Sequence, residues 1–375
     1  MKFLQRLQFD LGEQISRKEY LKRKKRNSKL LKKRSKITYI LLAIFLALAV
    51  YIVVQLIIYR RYNNFKYTLG EGVNAQAVYN IYFITEGYTY DSVYSISSIT
   101  SLGENETSIL PSCNIEKVIV EQDFLYGIRD GALCRVNKND YTVEELIKDD
   151  IRKYVKHNNT IFYISTDNMV LKSYNIDTKE TKIFDLANVE QILVNEDNVF
   201  AVTHTTEEKS IYRFNFDGQG KTKISSDAEV SYAIENNGVI YFVNRADSNY
   251  IYKVNTSGES LSKVANIKSI HSKGKNDEVN GNKYMFIREN NLYYINPDDE
   301  DSLWRYNLDD GTNERVISAS IEILQNVDNT VFYKIDKEMG VYLYNYDTQF
   351  MSLVTRRRVK EFVIDTYTDI ASENI

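Results

Sequence analysis

The 375-residue chain is poor in the residues from which most compact catalytic and metal centres are built: two cysteines, three histidines, one tryptophan and two prolines. Two cysteines exclude a disulfide scaffold and a zinc centre made of several thiolates. The three histidines, His157, His204 and His271, lie far apart and lack metal-ligand spacing. They also leave little to place as the base of a nucleophilic triad. No Gly-x-Ser-x-Gly elbow, phosphate-binding loop or dinucleotide fingerprint occurs. No catalytic residue, metal or cofactor is therefore expected. Scarce proline beside 30 Tyr and 16 Phe excludes a disordered chain. Charge is missing altogether from Ile37 to Tyr59.

That uncharged run, ITYILLAIFLALAVYIVVQLIIY, has 23 residues. At about 1.5 Å per residue it matches a hydrocarbon core of roughly 30 Å, and in lipid a helix satisfies its own backbone. A transmembrane helix over 37–59 is expected. Its flanks orient it. Residues 1–36 hold 14 Lys/Arg against three Asp/Glu, and after the run only Arg60, Arg61 and Lys66 follow closely. The positive-inside rule puts the N-terminus in the cytoplasm and the rest outside. A cleaved signal peptide needs a shorter apolar core with a small-residue site after it. Ala47-Leu48-Ala49 lies inside the run, so an uncleaved signal-anchor is the better reading. Residues 17–36, RKEYLKRKKRNSKLLKKRSK, form a basic cytoplasmic arm suited to anionic lipid headgroups, with no nucleic-acid motif. Ahead of it Leu4, Leu7, Leu11 and Ile15 recur at helical spacing, interrupted by Gly12. Residues 62–375 carry 32 basic and 48 acidic side chains, so the outer region is strongly acidic.

The outer region repeats itself. An apolar–aromatic strand recurs at 80–84, 124–128, 160–164, 198–202, 239–243, 291–295 and 330–334, centred on Tyr82, Tyr126, Phe162, Phe200, Tyr241, Tyr293 and Phe332. A second strand follows each, and six of the seven end in Asn: Asn137, Asn175, Asn215, Asn255, Asn307 and Asn345, with Ser97 in the first. Turn residues such as Asp217-Gly218, Ser257-Gly258 and Asp310-Gly311 come next, and then a short strand. Another apolar strand precedes the aromatic one, as in 117–121, 191–195, 284–288 and 321–325. Four antiparallel strands per unit of about 40 residues is the period of a propeller blade. The expectation is an all-β, seven-bladed β-propeller of four-stranded antiparallel blades, preceded by the transmembrane helix and the basic helical arm. The expected divisions are arm 1–36, helix 37–59, linker 60–77, propeller 78–365 and tail 366–375. Seven strand pairs enclose six inner strands, so the seventh must come from a chain end. VKEFVI at 359–364 fits the pattern and is predicted to close the first blade, with 66–78 as the rival.

The units IYFVNRADSNYIYKVNTSGE (240–259) and LYYINPDDEDSLWRYNLDDG (292–311) resemble YWTD-type and TolB-type propellers. They look most like the propellers of unknown function in Gram-positive, clostridial-type membrane-anchored surface proteins. The resemblance covers roughly 78–365. The YWTD tetrapeptide itself is absent, with IYKV and LWRY in its place. It implies a binding or scaffolding module and carries over no catalytic residue.

The longer hairpin loops, 85–92, 203–210, 244–250 and 296–302, share one face with the connections between blades, including 266–282 and Arg356–Arg358. Function on a rigid scaffold concentrates in such loops. The candidate binding residues there are Tyr88, Tyr90, His204, Glu207, Arg245, His271, Lys273, Asp298, Asp299, Arg356, Arg357 and Arg358. The acidic loop Asp298–Asp301 offers calcium-type oxygen ligands but no EF-hand pattern, so a solvated hairpin is the favoured reading. Cys113 and Cys134 form a disulfide if their Cα atoms approach within about 7 Å. The expected function is a non-catalytic, membrane-anchored extracytoplasmic module whose partner is an envelope protein or a cell-wall polymer. The rival readings are a propeller-type glycan hydrolase or lyase with paired carboxylates, and a sensor relaying through the basic arm.

Overall fold

The computed structural model describes residues 17–64, 78–85, 94–110, 113–203, 210–225, 228–270 and 283–367. The chain divides into two compact units, Met1–Tyr67 and Thr68–Ile375. The Leu4–Ile15 stripe and the linker 65–77, with the rival closing strand inside it, lie outside the described residues.

The described residues of the first unit form one helix, α1 (Arg17–Asn64, 48 residues). The boundary expected between a basic arm and an apolar helix at 36/37 is not a structural break: backbone hydrogen bonding runs straight through it. Lys, Arg and Leu all favour helix, and neither Pro nor Gly interrupts the stretch. Leu41, Leu42, Ile44, Val50 and Val54 are all exposed. At about 100° per residue these positions point to every side of the helix, so no apolar stripe is set against a polar one. The expected transmembrane helix has this correction attached: among the described residues, no helix is long and apolar enough to cross a membrane. The apolar stretch whose side chains are described without interruption is 41–54, about 21 Å of helix at ~1.5 Å per residue, against a hydrocarbon core of roughly 30 Å.

The second unit is a seven-bladed β-propeller with four antiparallel strands in every blade. Blades 2 to 7 each take one continuous segment: 115–147, 151–183, 189–223, 230–268, 285–317 and 321–355. Blade 1 draws on both ends. Its second, third and outer strands are Asn80–Thr85, Ser95–Thr100 and Thr107–Leu110. Its inner strand is Val359–Asp365, paired antiparallel with Asn80–Thr85 so that Phe362 faces Phe83. The C-terminal strand therefore closes the ring. The third strand of blade 1 begins two residues later than the expected 93–97, because the pairing sets Thr85 against Ser95.

The second strand of each blade reads as a continuous apolar run, since both of its faces are covered by neighbouring blades. Ile81–Ile84, Ile161–Ile164, Val199–Val202 and Leu292–Ile295 are buried at every position. Successive residues face opposite neighbours. Phe332 of blade 7 packs with Phe83 and Phe362 of blade 1, and Phe200 of blade 4 packs with Phe242 of blade 5. The outer strands, such as Thr181–Ile183, are exposed.

Where Asn ends the third strand in blades 3, 6 and 7, its side chain has a local task. The Asn175 side chain accepts the N–H of Asp177 (3.0 Å) and Thr178 (2.9 Å); Asn307 and Asn345 accept the equivalent pairs. These are Asx turns that start the hairpin to the outer strand. The most regular feature of the repeat is turn chemistry and not a ligand array.

Candidate functional site

Strand order gives the propeller two unlike faces. Hairpins from second to third strand open on the same side as the connections between blades, which is the loop face. Two of these hairpins are built alike. Asn244 accepts the N–H of Ala246 and leads a 3₁₀ turn, Arg245–Asp247; Asn296 accepts the N–H of Asp298 and leads Pro297–Asp299. The last acid of each turn ties down its own blade. Asp247 receives the Tyr252 hydroxyl (2.8 Å) and the Lys263 ammonium (2.7 Å). Asp299 receives Ser302 Oγ (2.5 Å), Trp304 Nε1 (2.9 Å) and Arg315 (3.4 Å). The hydrogen bonds from Ser302 and Trp304 hold the Asp299 carboxyl below the usual carboxylate range. Lys263 does the same to Asp247.

Loop-face positions predicted from the sequence separate accordingly. Asp299 is occupied structurally, and the neighbouring Asp298 pairs with Lys268 at 3.0 Å. Arg245 stands exposed at the start of its 3₁₀ turn. Arg356, Arg357 and Arg358 are exposed in the connection from blade 7 to blade 1, where Arg357 pairs with Glu106 at 2.8 Å. Topology brings Arg245, Asp298, Asp299 and the three arginines to one face but to three different places on it. Tyr88, Tyr90, His204, Glu207, His271 and Lys273 lie outside the described residues. Among the described residues no group of three or more His, Cys, Asp or Glu is placed to hold a metal ion.

Cys113 and Cys134, which the sequence left open as a possible disulfide, are free thiols here. Each has its own neighbour: Cys113 Sγ donates to the Tyr94 carbonyl at 3.7 Å, and Cys134 Sγ leans on Ala132 O at 4.0 Å. Burial pushes both thiols up, so neither is a ready thiolate.

A set of residues the sequence reading passed over sits where the inner strands begin, at the loop-face mouth of the channel such rings enclose. Six inner strands carry a β-bulge at their second or third residue. The register skips Lys360, Arg152, Glu190, Ser231 and Glu322, and in blade 2 it breaks across Lys117 and Val118. Lys283 holds the same place in blade 6, one residue before Tyr284, whose carbonyl takes the Ile295 N–H. Bulges turn a strand and re-aim its side chains. Lys360 pairs with Glu116 at 2.6 Å and lies 3.8 Å from the centroid of the Tyr94 ring; Lys117 Nζ donates to the Arg152 carbonyl at 2.7 Å. Glu322 pairs with Lys334. Burial pushes the Lys283 ammonium down. The missed signal was an apolar–charged step opening five of the seven inner strands, Ile115-Glu116, Ile151-Arg152, Val189-Glu190, Ile321-Glu322 and Val359-Lys360. Inner strands taken to start at 117 and 191 cut that step off.

Below the mouth, side chains bolt neighbouring inner strands together. Gln191 of blade 4 donates to Ala233 O (2.7 Å) and accepts from Ala233 N (2.9 Å) of blade 5. Gln325 of blade 7 donates to Phe362 O of blade 1 at 2.6 Å. Glu361 of blade 1 accepts the N–H groups of both Lys117 (2.8 Å) and Val118 of blade 2. Asp365, fully buried, pairs with Lys138 of blade 2 at 2.7 Å. A void too narrow for water borders Glu361, lined by Tyr82, Ile84, Ile96, Val118 and Phe362.

No protein-family profile and no curated protein matches the sequence. Solved structures match the fold. A puromycin-hydrolyzing peptidase of Mycobacterium tuberculosis is 12% identical with a TM-score of 0.59, covering 76% of this chain and 53% of the peptidase. This chain thus spans about half the length of that enzyme. The nidogen/laminin complex is 11% identical over 78% of this chain and 99% of that chain, with a TM-score of 0.43. TolB from Acinetobacter baumannii is 9% identical over 76% and 66%, with a TM-score of 0.45. The peptidase likeness shows the fold alone; the narrower likeness to clostridial surface proteins has no sequence match behind it.

Proposed function

We propose that the protein is a single-pass membrane protein whose propeller stands outside the cytoplasm as a non-catalytic binding or scaffolding module at the cell envelope. The carrying observation is the 23-residue uncharged run 37–59 inside one continuous helix whose described apolar side chains are exposed on all sides. Water penalises such a surface by about 25 cal/mol per Å² of apolar area, and lipid removes the penalty. The 14 basic residues before the run support a cytoplasmic N-terminus whose arm meets anionic headgroups. A binding role is supported by a rigid ring that displays varied loops on one face. The loop-face carboxylates Asp298 and Asp299 are engaged by Lys268, Ser302 and Trp304, which disfavours the paired-carboxylate hydrolase reading. Another envelope protein or a wall polymer is the partner class that location offers. Protease added to intact cells should remove the propeller and leave a short fragment containing α1. A propeller left whole while a known surface protein is digested overturns the reading.

A further inference from the structure

Hydrophobic clusters fill six of the seven seams between blades. The seam between blades 6 and 7 is lined with tyrosine. On blade 6, Phe286 pairs with Tyr293, Tyr293 with Arg305 and Arg305 with Glu314, so all four share one face. On blade 7, Tyr333 pairs with Tyr342, and Tyr344 follows on the same face. The two walls meet where the Tyr346 ring lies 5.0 Å from that of Tyr293. Tyr293 and Tyr333 are fully buried, and neither hydroxyl has a hydrogen-bond partner in the protein. Other buried tyrosine hydroxyls are met: Tyr154 donates to Lys117 O at 2.8 Å, Tyr163 to Asp149 at 3.2 Å and Tyr294 to Asn313 at 3.0 Å. A buried hydroxyl left unmet is costly, so two in one seam point to a partner from outside the chain. The seam opens on the outer rim, where the Arg305 and Glu314 side chains are 40% and 50% exposed and paired with each other. Tyr344 is half-buried beside them, and its hydroxyl makes no hydrogen bond among the described residues. Arg288 stands over the Tyr346 ring and pairs with Glu289 at 3.0 Å, so both cations at this rim are already neutralised. Burial pushes the Tyr333 and Tyr344 hydroxyls up, which keeps them neutral donors. Aromatic faces and neutral hydroxyls, with every nearby charge cancelled, suit an uncharged polyhydroxyl ligand better than an anion.

We infer that the outer rim of the seam between blades 6 and 7 binds an uncharged glycan residue, with the Tyr344 ring as its stacking face and the Tyr293, Tyr333 and Tyr344 hydroxyls as partners for its own. Tyr344 is the side chain that turns to admit the sugar to the two buried hydroxyls. The inference rests on the reading of the propeller as a binding module and narrows its partner to a neutral sugar of a wall polymer.

The test uses the full chain in a detergent without a sugar headgroup. The probes are triacetylchitotriose, cellotriose and maltotriose, with trigalacturonic acid as the charged comparison. The readouts are the calorimetric Kd and the Tm of the propeller. At least one neutral trisaccharide should bind and raise the Tm, and trigalacturonic acid should do neither. Tyr344→Ala should weaken that binding roughly tenfold or more, the worth of a stacking face with a hydroxyl. Tyr293→Phe keeps the ring and should weaken binding roughly twofold to tenfold, while the ligand-free Tm stays level or rises because an unmet hydroxyl is removed. Tyr163→Phe, in another seam, should lower the ligand-free Tm and leave the affinity unchanged. If no neutral trisaccharide binds, the inference is overturned. A Tyr293→Phe protein that melts lower without ligand and binds sugar as tightly as wild type assigns the hydroxyl to buried water and overturns it too. Sugar binding untouched by either seam variant lies elsewhere on the ring, so the site falls while the binding-module reading stands.

Discussion

At the scale of single residues, the choice between Glu and Gln on the inner strands follows the backbone they meet. Gln191 faces a regular strand that offers one C=O and one N–H, so an amide serves both. Glu361 faces the Lys117–Val118 bulge, where two N–H groups point the same way and Lys117 sits at φ 55°. Only a group with two acceptor oxygens fits there. Burial pushes the Glu361 carboxyl up to about 7 from an ordinary 4.5, against the pull of those two N–H groups and of Lys360. A raised carboxyl binds its proton more tightly in the folded state. Its contribution to stability is therefore complete below about pH 4.5 and is lost as pH rises through 7. The span amounts to at most ~3 kcal/mol. Melting curves from pH 5 to 8 should show wild type losing stability, while Glu361→Gln is flatter across that range. The variant should also be weaker by about 1–3 kcal/mol at pH 5, because its NH₂ meets an N–H donor. A Glu361→Gln protein with the wild-type pH slope refutes the assignment. Gly340 tests a different constraint. It holds φ 102°, its N–H donates to Arg357 O at 3.0 Å, and an added Cβ would run into the Thr355 carbonyl. Gly340→Ala should lower stability by more than ~1 kcal/mol in a denaturant titration and disturb the Arg356–Arg358 connection. An unchanged midpoint contradicts that.

At the scale of elements, the closing strand Val359–Asp365 does more than complete a sheet. It receives Gln325 from blade 7 and reaches Lys117 and Val118 of blade 2 through Glu361 and Lys138 through Asp365. Phe362 is fully buried against Phe83 and its neighbours in blades 1 and 7. Removing residues 359–375 deletes that aromatic, both clamps and the pairing of a full strand edge. Loss of one large core side chain costs about 3–5 kcal/mol, so the truncated ring should melt at least about 10 °C lower by circular dichroism, or lose cooperativity. A melt like wild type means the ring does not depend on this strand. The existence of the strand was legible from VKEFVI and from counting inner strands. Its ties to blade 2 were not, because they join residues more than 200 positions apart.

At the scale of the whole molecule, charge and hydropathy are divided along the chain: a basic segment, an uncharged one and an acidic propeller. That division carries the proposed location. Phe45→Lys combined with Leu48→Lys places two charges in the uncharged run, at a cost of about 2.5–3.5 kcal/mol each on insertion scales. The double variant should shift from the membrane fraction to the soluble or aggregated fraction after ultracentrifugation, while the wild type stays in the pellet until detergent is added. Retention of the variant in the membrane refutes a role for 37–59 as the anchor.

The blade number, the strand order and the closing segment followed from the sequence because each depends on local period. A strand buried on both sides must read as an apolar run, which appears seven times, and a hairpin that starts on an Asx turn favours Asn, which ends six of the third strands. The channel mouth and its clamps did not. They are built from one residue per blade, brought around an axis by bulges that a period-two pattern cannot show. Whether Asp299 is a free ligand or a structural acid was likewise decided by Ser302, Trp304 and Arg315 closing on it. Local chemistry repeats along a chain and can be counted there, whereas convergence of side chains about an axis exists only once the ring has closed.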